Sequence, residues 1–146
     1  MTKDTKTALL ETAEDAVRSR GFDGFSYADL SDAIGIRKAS IHYHFQTKAA
    51  LSVALLDRYH KTLDAKCAEI NEHHETAAAR LRAMIDVYRE ALDEGNKMCL
   101  CVSLIASRES LSDEAMDRIK SFRNMMTTWM AGSSAHASIV FSIAMA

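Results

Sequence analysis

The sequence of 146 residues contains no proline and only five glycines. Because proline and glycine are the residues that most often interrupt regular structure, their scarcity excludes a protein built from many short strands and turns. Alanine, leucine, methionine, glutamate and lysine fill the long segments, and these residues have high helix propensity. The composition therefore predicts an all-α fold of about seven or eight helices, as one compact domain or a small module with a modest second one.

The chain also lacks a targeting or membrane-spanning segment. Its amino terminus has no apolar stretch typical of a secretory signal. Residues 131–146 contain no Lys, Arg, Asp or Glu, but this run is shorter than the roughly 20 apolar residues of a membrane helix. We therefore expect a cytoplasmic protein with no membrane partner, and a short final helix packed against another surface.

Cysteine is scarce, and its three positions do not predict a disulfide framework. Cys99 and Cys101 lie on a predicted helix, where a spacing of two residues turns side chains about 200° apart and forms no metal pair by itself. The alternative is a thiol or metal sensor formed by Cys67, His60, His73 and His74.

Catalytic motifs are absent as well. The sequence has no ordered nucleophile, base and acid, no glycine-rich phosphate loop and no paired His and carboxylate motif. We expect no enzyme activity, no cofactor and no metal.

The charge is nearly balanced overall but not locally. Eighteen basic and twenty acidic side chains give a formal net charge of −2, which does not by itself indicate a nucleic-acid partner. Between residues 37 and 61, however, five Lys or Arg face a single acid, Asp57, which gives +4. This pattern predicts a basic face on one part of the molecule.

Helices are predicted over residues 5–20, 27–34 and 38–44. Gly21 should end the first helix as a left-handed cap, and Ser26 with Asp29 forms a capping-box variant at the second. Gly35 supplies the positive φ of a sharp turn. Ser31 provides the small side chain needed where two helices cross. The segment therefore predicts a helix-turn-helix.

The remaining residues predict a long connecting helix and a helical body. Thr47 should begin a helix that runs past Ile70, and the polar segment 71–76 predicts a boundary. Further helices are expected over about 76–94 and 96–108, then after Ser110 or Ser112. The apolar residues expected to face inward are Leu51, Leu55, Tyr59, Leu63, Cys67, Ile70, Leu81, Met84, Ile85, Tyr88, Leu92, Ala115, Met116, Ile119, Phe122, Met126 and Trp129.

An ordered set of short motifs runs through the first third of the chain: Gly21-Phe22, Ser26-Tyr27, Leu30, Ala33, Gly35-Ile36, Lys38-Ala39-Ser40-Ile41, Tyr43-His44-Phe45, Thr47-Lys48 and Leu51. Over residues 5–56 this order and spacing resemble the TetR (TetR/AcrR-type) family of bacterial transcriptional repressors. The resemblance implies a three-helix DNA-binding head over residues 1–48 and a linking helix from 47 to about 72. It also implies an effector-binding and dimerisation body over residues 73–146.

The sequence departs from that family in three places. The family often has a serine where Arg37 stands and an acid where Ala49 stands. Its body usually continues through two further long helices that form the dimer interface. We therefore expect a carboxyl-terminal region shorter than usual, truncated or altered after Trp129.

The resemblance implies that Tyr43 and Lys48 contact phosphates, and amides at the starts of two helices can also bind phosphate. Side chains on the front of residues 38–44 should reach base edges, and Ala39 should contact a thymine methyl. The alternatives are a core role for Tyr43 and a solvated face for the others. The predicted DNA-binding residues are Ser26, Tyr27, Arg37, Lys38, Ala39, Ser40, His42, Tyr43 and Lys48.

Methionine and aromatic side chains in the body predict a pocket for an apolar small-molecule effector of unknown identity, because thioethers adapt to irregular shapes. An ordinary core is the alternative. The predicted pocket residues are Met84, Tyr88, Met98, Cys101, Leu104, Phe122, Met126 and Trp129.

These observations predict a homodimeric repressor that binds a palindromic operator in double-stranded DNA and is released by a small-molecule effector. The alternative is a helical ligand-binding or thiol-sensing dimer in which DNA regulation is impaired.

Overall fold

The computed structural model describes residues 4–133, and within that range every regular element is helical. The all-α prediction is therefore confirmed. The predicted terminal helix falls mostly on residues 134–146, which lie outside the described residues. The helices are α1 (Thr5–Arg20), α2 (Tyr27–Ile34), α3 (Lys38–His44), α4 (Lys48–His73), α5 (Ala77–Ala91), α6 (Leu100–Ile105) and α7 (Asp113–Ser133).

Local signals set the ends of the first helices. The Ser26 hydroxyl accepts from the amide of Asp29 (3.3 Å), and the Asp29 carboxylate accepts from the amide of Ser26 (2.6 Å). This confirms the capping box. Gly21 has positive φ (82°) but an extended ψ (165°), so the prediction of a left-handed cap was wrong in ψ. The chain leaves α1 into a 3₁₀ turn at Phe22–Gly24.

The turn between α2 and α3 depends on Gly35. Its φ of 75° and ψ of 30° place it in the left-handed region. A residue with a Cβ atom is destabilised in this conformation, whereas glycine is not. Its amide donates to the carbonyl of Ser31 (2.9 Å), and the Ser31 hydroxyl donates to the carbonyl of Ile36 (2.5 Å). A small hydroxyl side chain at position 31 thus permits the close crossing and also fixes the turn.

α4 is the helix shared by both ends of the molecule. The Thr47 hydroxyl accepts from the amide of Ala50 (3.0 Å) and caps its start. It packs on α1, α5, α6 and α7. Its predicted inward stripe is confirmed, since the following residues are all buried: Leu51, Leu55, Tyr59, Leu63, Cys67 and Ile70.

In the body, several helices begin or end at other residues than predicted. α5 ends at Ala91 rather than near residue 94, and α6 begins only at Leu100. Ile85 was expected inside but is 55% exposed, because α5 packs on its neighbours along a narrow stripe centred on Met84. Ser112 caps α7 by accepting from the amide of Ala115 (3.2 Å).

α1 is joined directly to the segment before α6. The Arg18 Nε donates to the carbonyl of Met98 (2.8 Å), and a second guanidinium nitrogen donates to the carbonyl of Ala91. In return the Met98 amide donates to the Arg18 carbonyl (3.0 Å). We call this set of three bonds the Arg18 clamp. It ties the three-helix head to the body at a point remote in sequence.

Candidate nucleic-acid interface

α3 has one buried and one exposed face. Ile41 is completely buried against the core of the head, whereas Tyr43 is 84% exposed. This exposure contradicts the alternative that Tyr43 is a core aromatic. The other residues that point outward from the same helix and its N-cap are Arg37, Lys38, Ala39, Ser40 and His42.

The cations at the start of α3 are available to a ligand. In the described part of the chain, neither Arg37 nor Lys38 forms an ion pair. Arg37 occupies the N-cap position without a side-chain cap, and only its carbonyl is used, by the amide of Ser40 (2.9 Å). The guanidinium is therefore not committed to stabilising the helix.

His42 is held in place by its neighbours. Its ring packs edge-on against Tyr27 with centroids 4.9 Å apart, and its Nδ1 lies 3.3 Å from the carbonyl of Gln46. Because a carbonyl only accepts, this contact assigns the proton to Nδ1. In the neutral ring, Nε2 is then an acceptor.

Tyr27, predicted to be a DNA-binding residue, does not offer its side chain to a ligand. It is buried, and its hydroxyl donates to the carbonyl of Phe45 (2.9 Å). Burial raises the pKa of Tyr27 to about 12. The side chain therefore joins α2 to the end of α3, and only its backbone amide remains a candidate phosphate ligand.

Ser26 is exposed, but its hydroxyl is already used within the capping box, where it also lies 2.9 Å from the Asp29 carboxylate. Hydrogen bonds from the Ser26 amide and hydroxyl lower the pKa of Asp29. The start of α2 thus presents a carboxylate beside its free amides.

Lys48 is half-buried, and its predicted phosphate contact stays a prediction. Its Nζ donates to the carbonyls of Phe22 (2.5 Å) and Phe25 (2.7 Å). It lies over both rings, 4.7 Å and 4.1 Å from their centroids. Burial lowers the pKa of Lys48. The ammonium group therefore fixes the loop after α1 to the first turn of α4.

The basic face is smaller than the sequence count indicates. Arg58 turns inward and pairs with Glu14 (3.0 Å) and Glu11 (3.2 Å). Together with the enclosed Lys48, this removes two of the five cations. The counted acid, Asp57, is bound by Arg118 of α7 (2.7 Å).

Sequence reasoning missed Lys6, which is exposed on the first turn of α1 with its Nζ 6.0 Å from the centre of the Phe45 ring. This places a cation beside the end of α3. No motif marks Lys6, because its position follows from the packing of α1 on the head.

Most of the predicted effector residues lie in the core of the body, and their role in binding an effector stays a prediction. Met98, by contrast, is 44% exposed, and Trp129 donates through its indole to the Asn71 side chain (3.2 Å) at the surface. Tyr88 is partly buried. The buried members are Met84, Cys101, Leu104, Phe122 and Met126.

Within residues 4–133, two of the clefts beside the body are lined by none of the eight predicted pocket residues. One, of about 650 Å³, lies between α4 and α5 around Ile70, Ala83 and Val87. The other, of about 340 Å³, lies where α1 meets α4 and α5 and is lined in part by Arg18 and Tyr59. The second cleft adjoins the Arg18 clamp.

The cysteines correct two expectations. Cys99 is the residue before α6, with an extended backbone, so the 200° rule for helices does not apply to it. Its Sγ lies 3.3 Å from the Tyr59 hydroxyl, and the neighbouring Cys101 side chain lowers the pKa of its thiol. The proposed sensor group around Cys67 does not assemble: among residues 4–133 no three His, Cys, Asp or Glu side chains could share a metal ion.

None of the helices from α1 to α7 combines the length and apolar character required to cross a bilayer.

Comparison with known proteins assigns the head. The family of bacterial regulatory proteins called tetR matches residues 9–55. The HTH-type transcriptional regulator TtgR of Pseudomonas putida is 37% identical over 62 residues, which cover 42% of this chain and 30% of that protein. The matched segment is therefore less than a third of that regulator's length.

Two solved structures extend the similarity to the body. A TetR transcriptional regulator from Legionella pneumophila superposes with a TM-score of 0.86 at 28% identity and covers 90% of this chain and 72% of its own. A TetR-family regulator from Agrobacterium tumefaciens gives 0.81 at 26% identity, covering 88% and 68%. With the helix-turn-helix geometry of α2 and α3, these matches show that the chain belongs to the TetR family of bacterial regulatory proteins.

Proposed function

We propose that this protein is a transcriptional repressor that binds a palindromic DNA operator as a homodimer and releases it when a small molecule binds the body. The observation that carries the proposal is the front of α3. It presents the 84% exposed Tyr43 on a helix whose opposite side is anchored by the buried Ile41. Arg37 and Lys38 are exposed beside it and form no ion pair within residues 4–133. A helix of this kind fits the major groove, which admits one α-helix.

Each residue on this face has a chemical role in the proposal. Arg37 and Lys38 donate to phosphates or to the O6 and N7 atoms of guanine. The Tyr43 hydroxyl donates to a phosphate, while Ala39 contacts a thymine methyl.

His42, through Nε2, accepts from an exocyclic amine of a base. The Ser40 hydroxyl donates or accepts. Ser26 and Tyr27 contribute only through the start of α2, and Lys48 contributes by holding that part of the head in place.

The dimer and the effector belong to the same proposal. A two-fold pair of heads would contact half-sites about 34 Å apart, or more. The cleft of about 340 Å³ between α1, α4 and α5 supports effector control, because a ligand there would touch both the head and the body. Light scattering at micromolar concentration tests the dimer, and a strict monomer would contradict it.

DNA binding is tested by selecting duplexes from a randomised library with the full chain, then measuring their affinity by fluorescence anisotropy at several salt concentrations. We expect a palindromic consensus and a slope of log K against log[salt] near −0.9 for each phosphate neutralised. Failure to enrich any sequence, with no salt-dependent binding, would contradict the proposal.

Matched variants locate the interface. Lys38→Ala should reduce the salt slope by about 1 if Lys38 neutralises a phosphate. Lys120→Ala removes the same charge from the exposed surface of α7, where Lys120 pairs with Asp117, and should leave affinity unchanged. Tyr43→Phe, which removes only the hydroxyl, should weaken binding to the selected duplex and to unrelated duplexes by the same factor. Equal affinity of all three variants would exclude the front of α3 as the interface.

A further inference from the structure

A group of sulfur and hydroxyl atoms lies at the contact between α4 and α6. It consists of Cys99, Cys101 and Tyr59, and we call it the thiol cluster. The Sγ of Cys99 is 3.3 Å from the Tyr59 hydroxyl, and Cys101 follows two residues later in the first turn of α6, where each thiol shifts the pKa of the other. Cys101 and Tyr59 are buried, whereas Cys99 is partly exposed. A thiol that is reachable from solvent therefore stands in contact with a second, enclosed thiol.

The surroundings distinguish the cysteines chemically. Hydrogen bonds from the Cys101 side chain, the Tyr59 hydroxyl and the amides of Cys101 and Val102 lower the pKa of the Cys99 thiol, against the opposing effect of burial. The hydrogen bond to Cys99 and burial raise the pKa of Cys101. Burial raises the pKa of Cys67 to about 11. Since the thiolate is the nucleophile, Cys99, whose pKa is lowered, should be the most reactive of the three cysteines.

We propose that Cys99 and Cys101 form a redox switch in which a hydroperoxide oxidises Cys99 and the product closes to a disulfide with Cys101. The chemistry stands on the thiol cluster alone, and only its effect on DNA binding rests on the proposed function.

The reaction balances in two steps. The Cys99 sulfur attacks the terminal oxygen of the hydroperoxide and the O–O bond breaks, which gives a sulfenic acid and an alcohol, or water when the oxidant is hydrogen peroxide. The Cys101 sulfur then attacks the Cys99 sulfur, the S–O bond breaks and the hydroxyl leaves with the Cys101 proton as water. The two sulfurs together lose two electrons, and the peroxide gains them.

Closing the disulfide must move the start of α6. An S–S bond is about 2.05 Å long, far shorter than any non-bonded contact between two sulfur atoms. Cys101 lies in the first turn of α6, and Cys99 follows Met98, which the Arg18 clamp bonds to α1. A displacement at Cys99 is therefore passed through one peptide bond to the helix that supports the DNA-binding head.

The chemistry is tested by peptide mapping of the full chain after titration with hydrogen peroxide. Trypsin cleavage after Lys97 and Arg108 places both cysteines in one peptide, and cleavage after Lys66 and Arg80 isolates Cys67 in another. We expect the first peptide to lose two hydrogen atoms while the Cys67 peptide remains reduced. Equal oxidation of both peptides, or a first peptide that stays reduced, would overturn the proposal.

Single variants separate the two steps. Cys101→Ser should stop the reaction at a sulfenic acid on Cys99 that dimedone traps, whereas Cys99→Ser should show no adduct. Cys67→Ser is the matched control and should oxidise like the native protein. Tyr59→Phe removes only the hydroxyl beside Cys99 and should slow the first step severalfold. Dimedone labelling of Cys101 in Cys99→Ser at the native rate would overturn the assignment of Cys99 as the attacking thiol.

The link to the head is tested separately by hydrogen exchange of α1 and by affinity for the selected duplex. Oxidation should accelerate exchange at the end of α1 near Arg18 and weaken DNA binding at least tenfold, both reversed by dithiothreitol. A disulfide that forms without changing exchange in α1 would overturn the link. Reduced protein that binds no DNA would instead contradict the proposed function and leave the peptide-mapping result standing.

Discussion

The front of α3 and the junction between head and body differ in whether their charged side chains are paired. On α3, Arg37 and Lys38 are exposed and form no ion pair among the described residues. At the junction, charged groups from α1 meet partners from distant segments: the contacts are Arg58 with Glu11 and Glu14, Lys97 with Asp15, and Arg18 with the carbonyls of Ala91 and Met98.

The difference separates the cations that stabilise the fold, at the junction, from the cations on α3 that can bind an anionic ligand. Cations with partners contribute to folding, whereas exposed unpaired cations contribute little to stability and can neutralise an anion from outside. The basic residues on α3 and those at the junction therefore have different roles, and a count of Lys and Arg does not distinguish them.

The largest effect is expected at Ile41, on the inner side of α3. Ile41→Ala removes a completely buried side chain from the head and should lower the free energy of unfolding by about 2–5 kcal/mol, because it leaves a cavity. Urea denaturation followed by circular dichroism measures the change.

Tyr43→Ala, two residues away on the exposed side, is the matched control and should change the free energy of unfolding by less than about 0.5 kcal/mol. Similar losses for both variants would contradict the two-faced description of α3.

The second effect concerns the Arg18 clamp. Arg18→Ala leaves the carbonyls of Ala91 and Met98 without their donors and should lower the free energy of unfolding by about 2 kcal/mol, since these are hydrogen bonds from a charged group. The side chain is 13% exposed, so solvent replaces it poorly.

Arg89→Ala breaks an ion pair with Asp86 in which the arginine is 74% exposed, and urea denaturation should show a loss below about 0.5 kcal/mol. A loss as large as that of Arg18→Ala would remove the distinction between buried and exposed cations.

A third prediction tests Lys48 as a structural residue. Lys48→Met keeps most of the apolar stem but removes the donor to the Phe22 and Phe25 carbonyls, and should lower the free energy of unfolding by about 1–2 kcal/mol. Lys38→Met, at an exposed lysine of α3, should leave thermal and urea unfolding unchanged. If Lys48→Met unfolds like the native protein yet loses DNA affinity, the phosphate role implied by the family resemblance is correct.

The smallest effect is a pH dependence at the capping box. Hydrogen bonds from Ser26 hold the folded-state pKa of Asp29 below its unfolded value, so the contribution of Asp29 to stability is present above the unfolded pKa and is lost as the pH falls through the folded pKa. Asp29→Asn should therefore be less stable than the native protein at neutral pH and approach it in acid. A difference that is constant from neutral pH to acid would contradict this assignment.

The helices of the head were predictable to the residue, because their ends are marked by local chemistry. The Ser26 and Asp29 capping box and the Gly35 turn lie within a few residues of the helix ends that they determine. The exposed positions of α3 followed from the same register. By contrast, the enclosure of Lys48 and Tyr27 depends on carbonyls of Phe25 and Phe45 that only the folded head brings near.

The body was predicted less well, since its ends depend on contacts between distant segments. Asp93 and Glu94 adopt positive φ (48° and 54°), which is uncommon for residues with a Cβ atom, and α5 ends before them. The start of α6 at Leu100 leaves Cys99 outside the helix, and this difference of a few residues brings the two thiols together. A sequence pattern with helical spacing could not show it.

The Arg18 clamp also bears on the order in which the chain folds. It joins residues eighty positions apart, and closing so long a loop costs more entropy than forming the contacts between α1, α2 and α3. The head helices therefore pair early, while the last bonds of α1 wait for the body. A nascent chain would acquire the proposed DNA-binding surface before it acquired the bonds that connect this surface to the body.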